Sequence, residues 1–146
     1  MRRMSIVLAL AMAEAASGTI TVDVSNVRNS RGNVVVDICP KNRFLDDGCP
    51  YKGEAPAKLG LTRVIVRGVP PGEYAAQAFH DENRSGEVDR GLFGIPKEGV
   101  GFSRNARIRL SPPKWDDARF VHQARPEVIR LDMRYFSGPK GPTPPR

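Results

Sequence analysis

Glu127-Val128-Ile129-Arg130-Leu131-Asp132-Met133-Arg134-Tyr135 alternates between apolar and charged side chains along its whole length. Successive side chains of an extended chain point to opposite faces, so Ile129, Leu131, Met133 and Tyr135 share one side. The stretch therefore reads as a strand with one dry face and one wet face. The same period recurs upstream. Thr19–Val24 alternates, Asn33–Cys39 puts Val34, Val36 and Ile38 on one face, and Leu61–Arg67 and Glu73–His80 follow. Ala106–Leu110 and Phe120–His122 are shorter candidates. The turn at Asn29-Ser30-Arg31-Gly32 would join the first two strands as a hairpin. Gly68-Val69-Pro70-Pro71-Gly72 has the residues of a second tight turn. Pro40–Pro56 and Asp81–Gly101 read as loops. A single helical turn is expected within Ser111–Ala118, with Ser111 as its cap. About seven short strands without long helical periodicity predict an all-β fold, an antiparallel β-sandwich of immunoglobulin or transthyretin-like type.

Composition agrees with this reading. The chain has 146 residues, enough for one domain, and its 14 glycines and 13 prolines favour many short elements joined by turns. The formal net charge is +7. The cations are scattered from Arg28 to the C-terminus without a run, which describes a solvated surface better than a nucleic-acid site. No nucleic-acid partner is expected.

The first residues point to export. Met1-Arg2-Arg3 is a cationic start, Met4–Ala13 is apolar, and Ala13-Glu14-Ala15 fits the small-x-small rule for cleavage. The apolar run is well short of the ~20 residues needed to cross a bilayer. The expected organisation is a signal peptide over 1–15, a sandwich domain over 16–136 and a disordered tail over 137–146. The mature chain would have no transmembrane segment and would be periplasmic or secreted. Cys39 and Cys49 are the only cysteines. In an oxidising compartment the pair suggests a bridge, with two free thiols as the alternative.

Several segments together are similar to one family. They are Val69-Pro70-Pro71-Gly72-Glu73-Tyr74-Ala75, Phe79-His80-Asp81-Glu82-Asn83 and Gly86-Glu87-Val88-Asp89. Further along come Gly94-Ile95-Pro96-Lys97-Glu98-Gly99, Gly101-Phe102-Ser103-Arg104-Asn105-Ala106 and Trp115-Asp116-Asp117-Ala118. They resemble an exported bacterial family catalogued as domain of unknown function 2141. The resemblance implies an exported β-sandwich and carries no assigned activity.

One loop has the residue types of a cation site. Asp81, Asn83 and Ser85 place oxygens at alternate positions, Gly86 permits a sharp turn, and Glu87 and Asp89 add carboxylates. Calcium takes six to eight oxygens, so Ca2+ is the candidate ion. The alternative is a polar connection whose side chains hold local backbone amides. The same region suggests an alternative function, a small extracytoplasmic hydrolase or sugar-active enzyme using the carboxylates of the 80–89 loop. Adjacent residues on a strand diverge, which separates His80 from Asp81. Ser103 with His122 lacks the elbow sequence of a nucleophile, and His122 reads as a surface or interface residue. The Gly-rich Gly91–Phe102 segment could cap one end of the sandwich, making His80, Phe93 and Phe102 candidate ligand contacts. The favoured reading is a non-catalytic binding or scaffolding domain of the cell envelope. Its partner would be an envelope protein or an extracellular polymer.

Overall fold

The computed structural model describes residues 17–88, 96–109 and 111–142. The proposed signal peptide, Asp89 and Phe93 lie outside these residues. Among the described residues there are eight strands: β1 (Gly18–Val27), β2 (Asn33–Cys39), β3 (Tyr51–Pro56), β4 (Gly60–Val69), β5 (Gly72–Asp81), β6 (Val100–Phe102), β7 (Phe120–His122) and β8 (Glu127–Asp132). They form two sheets, one in the order β4-β1-β8 and one in the order β3-β2-β5-β6, with β7 pairing the first residues of β5. The fold is an all-β sandwich.

Alternation along the strands builds the core. Ile20, Val22 and Val24 of β1 face Val34, Val36 and Ile38 of β2 across the interior. Val64 and Val66 of β4, Ala76 and Ala78 of β5, and Leu131, Met133 and Tyr135 complete it. The outer face of the first sheet is exposed at Leu61, Ile65 and Val128. On the outer face of the second, Phe44, Phe102 and Trp115 pack against Ala75, Ala106 and Ala118.

Several sequence expectations are corrected. β1 and β2 do not form a hairpin, because β1 pairs with β4 and β8 while β2 pairs with β3 and β5. The Arg28–Gly32 link instead crosses between sheets. Gly32 allows this: it sits at φ +67, and a Cβ there would lie 1.9 Å from the Asp81 carbonyl oxygen. The sheets are mainly antiparallel, but β1 and β8 run parallel, with every other strand lying in the connection between them. β3 lies inside the expected Pro40–Pro56 loop and β6 inside the Gly-rich segment. Ala106–Arg109 is not a strand. Arg104 and Asn105, both at positive φ, turn the chain away from the ladder just before it. The helical turn is Trp115–Ala118; it starts after Lys114, without a side-chain cap, so Ser111 is not its cap.

The sheets also meet along both edges. On one side Gly53 of β3 lies against β4, where a Cβ would be 2.4 Å from the Ile65 carbonyl oxygen. On the other, Val100 and Arg134 exchange backbone hydrogen bonds of 2.9 and 2.8 Å. Cys39 and Cys49 are bridged, with Cα atoms 5.2 Å apart. The expected disordered tail is held as far as Lys140: Arg28 Nη1 donates to the Ser137 carbonyl and Asn26 Nδ2 to the Lys140 carbonyl.

Candidate functional site

His80 ends the inward face of β5 and is fully buried. Nε2 lies 2.7 Å from the Arg31 carbonyl oxygen, which can only accept, so Nε2 carries the proton. Nδ1 then accepts from the Tyr135 hydroxyl at 2.9 Å, and the Tyr135 oxygen accepts the Arg28 amide at 2.9 Å. The Arg28 guanidinium stacks 4.4 Å over the Tyr135 ring and pairs with Glu82. Asn29 Nδ2 donates to the other Glu82 oxygen at 2.7 Å. Burial pushes the His80 pKa below its ordinary value and raises that of Tyr135 to about 12. Burial also raises the Glu82 value, but hydrogen bonds from Arg28 and Asn29 outweigh it and the net shift is downward. The group is thus a neutral histidine, a neutral tyrosine and an ionised glutamate, each in its favoured state. Its arrangement joins β5, the β1–β2 link and the chain's last segment.

Asp81 turns away from His80, as strand geometry requires. Its Oδ1 accepts the Ser85 amide at 2.9 Å and its Oδ2 accepts the Gly86 amide at 2.8 Å. Asn83 Oδ1 also accepts the Ser85 amide, at 3.1 Å. Ser85 Oγ donates to the Glu87 carbonyl at 2.9 Å. These are the contacts of a self-capped polar turn. Asp81, Asn83 and Ser85 are thus drawn together around backbone amides, while Glu87 lines a small cleft with Asp37 and Asp47. Among the described residues, no group of three or more His, Cys, Asp or Glu side chains could hold a metal ion.

The other end of β5 carries a second constellation. Ser103 Oγ is buried, accepting the Ala76 amide at 2.9 Å and donating to the Ala118 carbonyl. Asn105 Oδ1 accepts the Asp132 amide at 2.8 Å. Between these anchors Arg104 is held at φ 59 and ψ 18, a left-handed conformation that costs a side-chain-bearing residue free energy. Its guanidinium donates to the Asp116 and Arg119 carbonyls at 3.3 and 3.4 Å, and the residue lines an open cleft of about 370 Å³ with Glu73, Arg119, Phe120 and Val121, where Arg119 pairs with Glu73 and Asp116. Val121 is 67% exposed. His122, expected at the surface, is buried; it contacts Glu127 through Nδ1 and the Val69 carbonyl through Nε2. Ser103 and His122 therefore serve different partners. Phe102 packs edge-on to Phe44, which in turn meets Trp115. Sequence reasoning missed Arg104, although its place between two residues able to anchor a turn, Ser103 and Asn105, was a usable signal.

Fold and site together define a two-sheet β-sandwich with polar junctions at both ends of β5 and a concave, arginine-lined corner. The chain belongs to the family described as uncharacterized protein conserved in bacteria, domain of unknown function 2141, which matches residues 22–130. No curated protein and no solved structure matches it. Among the described residues, no helix is long and apolar enough to cross a membrane.

Proposed function

We propose that this protein is an exported, non-catalytic binding module of the cell envelope, and that it takes acidic groups of an extracellular polymer into the Arg104–Arg119 cleft. The observation that carries the reading is Arg104 itself. A strained backbone, fixed on both sides by Ser103 and Asn105, places Arg104 in the wall of an open concavity. Strain of this kind gathers at binding and catalytic sites. Two guanidiniums suit carboxylates, which would compete with Glu73 and Asp116 for Arg119, and the exposed Val121 beside Phe120 offers apolar surface to a sugar ring. Export is supported by the N-terminal pattern and by the disulfide, a bond favoured outside the cytoplasm.

The non-catalytic part is supported by how the candidate acids and bases are used. His80, Asp81 and Ser103 each spend their polar atoms on internal hydrogen bonds. The test is calorimetric titration with a uronic-acid oligosaccharide at low and high salt. Salt-sensitive binding that is lost in Arg104→Ala, with folding intact, is expected. Binding indifferent to Arg104 sinks the assignment. Reproducible glycan or ester turnover that disappears in a folded Asp81→Ala variant would instead favour the hydrolase.

A further inference from the structure

The alternation that buries Thr62, Val64 and Val66 of β4 turns Leu61, Arg63, Ile65 and Arg67 outward. On β8 it leaves Val128, Arg130 and Asp132 exposed. β1 lies between the two strands, and its register sets the outward residues in rows. One row is Ile65, Thr21 and Val128; the next is Arg63, Asp23 and Arg130. Apolar and cationic rows thus alternate across the outer face of the first sheet.

The apolar side chains stand open: Leu61 is 52% exposed, Ile65 42% and Val128 55%. The charges are arranged in depth. Asp23 is buried, and Arg63 covers it with a two-point contact, Nε to Oδ1 at 2.8 Å and Nη2 to Oδ2 at 3.1 Å. Arg67 and Arg130 are exposed and make no hydrogen bond or ion pair among the described residues. Asp132, at one end of the face, is engaged by Asn105. The face therefore shows three guanidiniums outward and keeps a carboxylate underneath.

An occupant must answer both features. An acidic polymer would answer the arginines and leave the apolar side chains wet. A protein partner packs on an apolar centre with a polar rim, whereas here Arg63 stands between Leu61 and Ile65 and no such centre forms. A second copy would bring arginines against arginines. A bilayer rich in acidic lipid meets the whole pattern, with phosphates at the surface and hydrocarbon just beneath. We propose that the outer face of β4-β1-β8 rests on an anionic phospholipid surface, with Arg67 and Arg130 on lipid phosphates and Leu61, Ile65 and Val128 entering the headgroup layer. The inference does not depend on the Arg104–Arg119 cleft.

The test uses the full-length protein and nanodiscs of phosphatidylglycerol and phosphatidylcholine in equal parts, with discs of phosphatidylcholine alone beside them. Both carry a trace of headgroup-spin-labelled lipid. Broadening of amide signals then reports which surface meets the lipid, so binding through any other segment is read separately. With the anionic discs, the amides of Arg63, Ile65, Val128 and Arg130 are expected to broaden, while those of Lys52 and Glu54, exposed on the other sheet, keep their intensity. Arg67→Glu combined with Arg130→Glu should weaken disc affinity at least about tenfold. Ile65→Ser combined with Val128→Ser should weaken it several-fold at the same salt. No broadening on this face, equal broadening by the phosphatidylcholine discs, or undiminished affinity in either double variant would each overturn the proposal. Saturable binding of poly-glutamate to the same amides, as tight as that of the discs, would overturn it too and make the face a site for an acidic polymer.

Discussion

His80 keeps a neutral ring because its two neighbours agree on the tautomer: Arg31 offers only an acceptor and Tyr135 offers a hydroxyl. Tyr135→Phe removes the donor to Nδ1 and leaves the Arg28 amide without its acceptor. Leaving buried groups unpaired costs about 1–3 kcal/mol, so a urea melt of Tyr135→Phe should show a loss of that size with an unchanged m-value. The same ring sets a pH dependence. Burial holds the folded pKa below the ordinary 6.5, so as pH falls past that value the unfolded chain takes up a proton first. Stability should therefore decline on acidification from about 6.5. Glu82, held below 4.5, contributes stability above that value and loses it only at lower pH, so it does not add to a decline that begins near 6.5. Melts at pH 7.5 and 5.5 check this; a folded His80→Asn variant should lose most of the difference. From sequence, His80 was legible as the last residue of a strand and as a candidate ligand contact, the second of which its full burial excludes. Its tyrosine partner, 55 residues away, was not, because periodicity says nothing about which distant strand end arrives beside it.

Elements differ in how plainly they write themselves into the chain. β2 and β7 match their expected bounds, and β8 alternates without interruption until it leaves the ladder. β3 was hidden because an edge strand tolerates Gly53 and Pro56, residues that otherwise punctuate loops. β6 is three residues long, too short for any period to show. The Asn29–Gly32 turn misled because a crossing between sheets needs the same residues as a hairpin. Only the contact of Gly32 with Asp81 separates the two, and it is a tertiary fact. Two loops can be tested at this scale. The bridge between Cys39 and Cys49 spans ten residues of sequence separation and holds the loop against β5 through Gln77. In the chain-entropy account its removal costs about 2.5–3 kcal/mol, measurable by urea melts of the double alanine variant. The Asp81 loop predicts the opposite kind of result. Both carboxylate oxygens already hold amides, and a calcium ion would have to displace them. Calcium and chelator should leave the same melting temperature; a marked rise with calcium would mean that the loop rearranges around the ion.

At the scale of the whole molecule, the distinctive feature is that neither sheet is left with two free edges. β3 meets β4 through Gly53, and β6 meets the segment after β8 through Val100 and Arg134. Exposed strand edges invite pairing with other chains, and contact between sheets removes that opening. The second seam depends on Gly101, where a Cβ would lie 2.7 Å from the Asp132 carbonyl oxygen and 2.9 Å from Leu131 Cδ1. Gly101→Ala must therefore push β6 away from β8. How far the damage spreads depends on how the molecule is connected. β6 pairs only Gln77–Phe79 of β5, whereas β1 is laddered on both sides along most of its length. The seam should then open as a local unit, without unfolding the sandwich. In hydrogen exchange, the amides of Val100 and Arg134 are expected to speed up sharply in Gly101→Ala while those of Val22 and Val24 keep their protection. Acceleration of all four by one common factor would show instead that closing the edge is part of the global fold, and that β6 is as integral to the sandwich as β1.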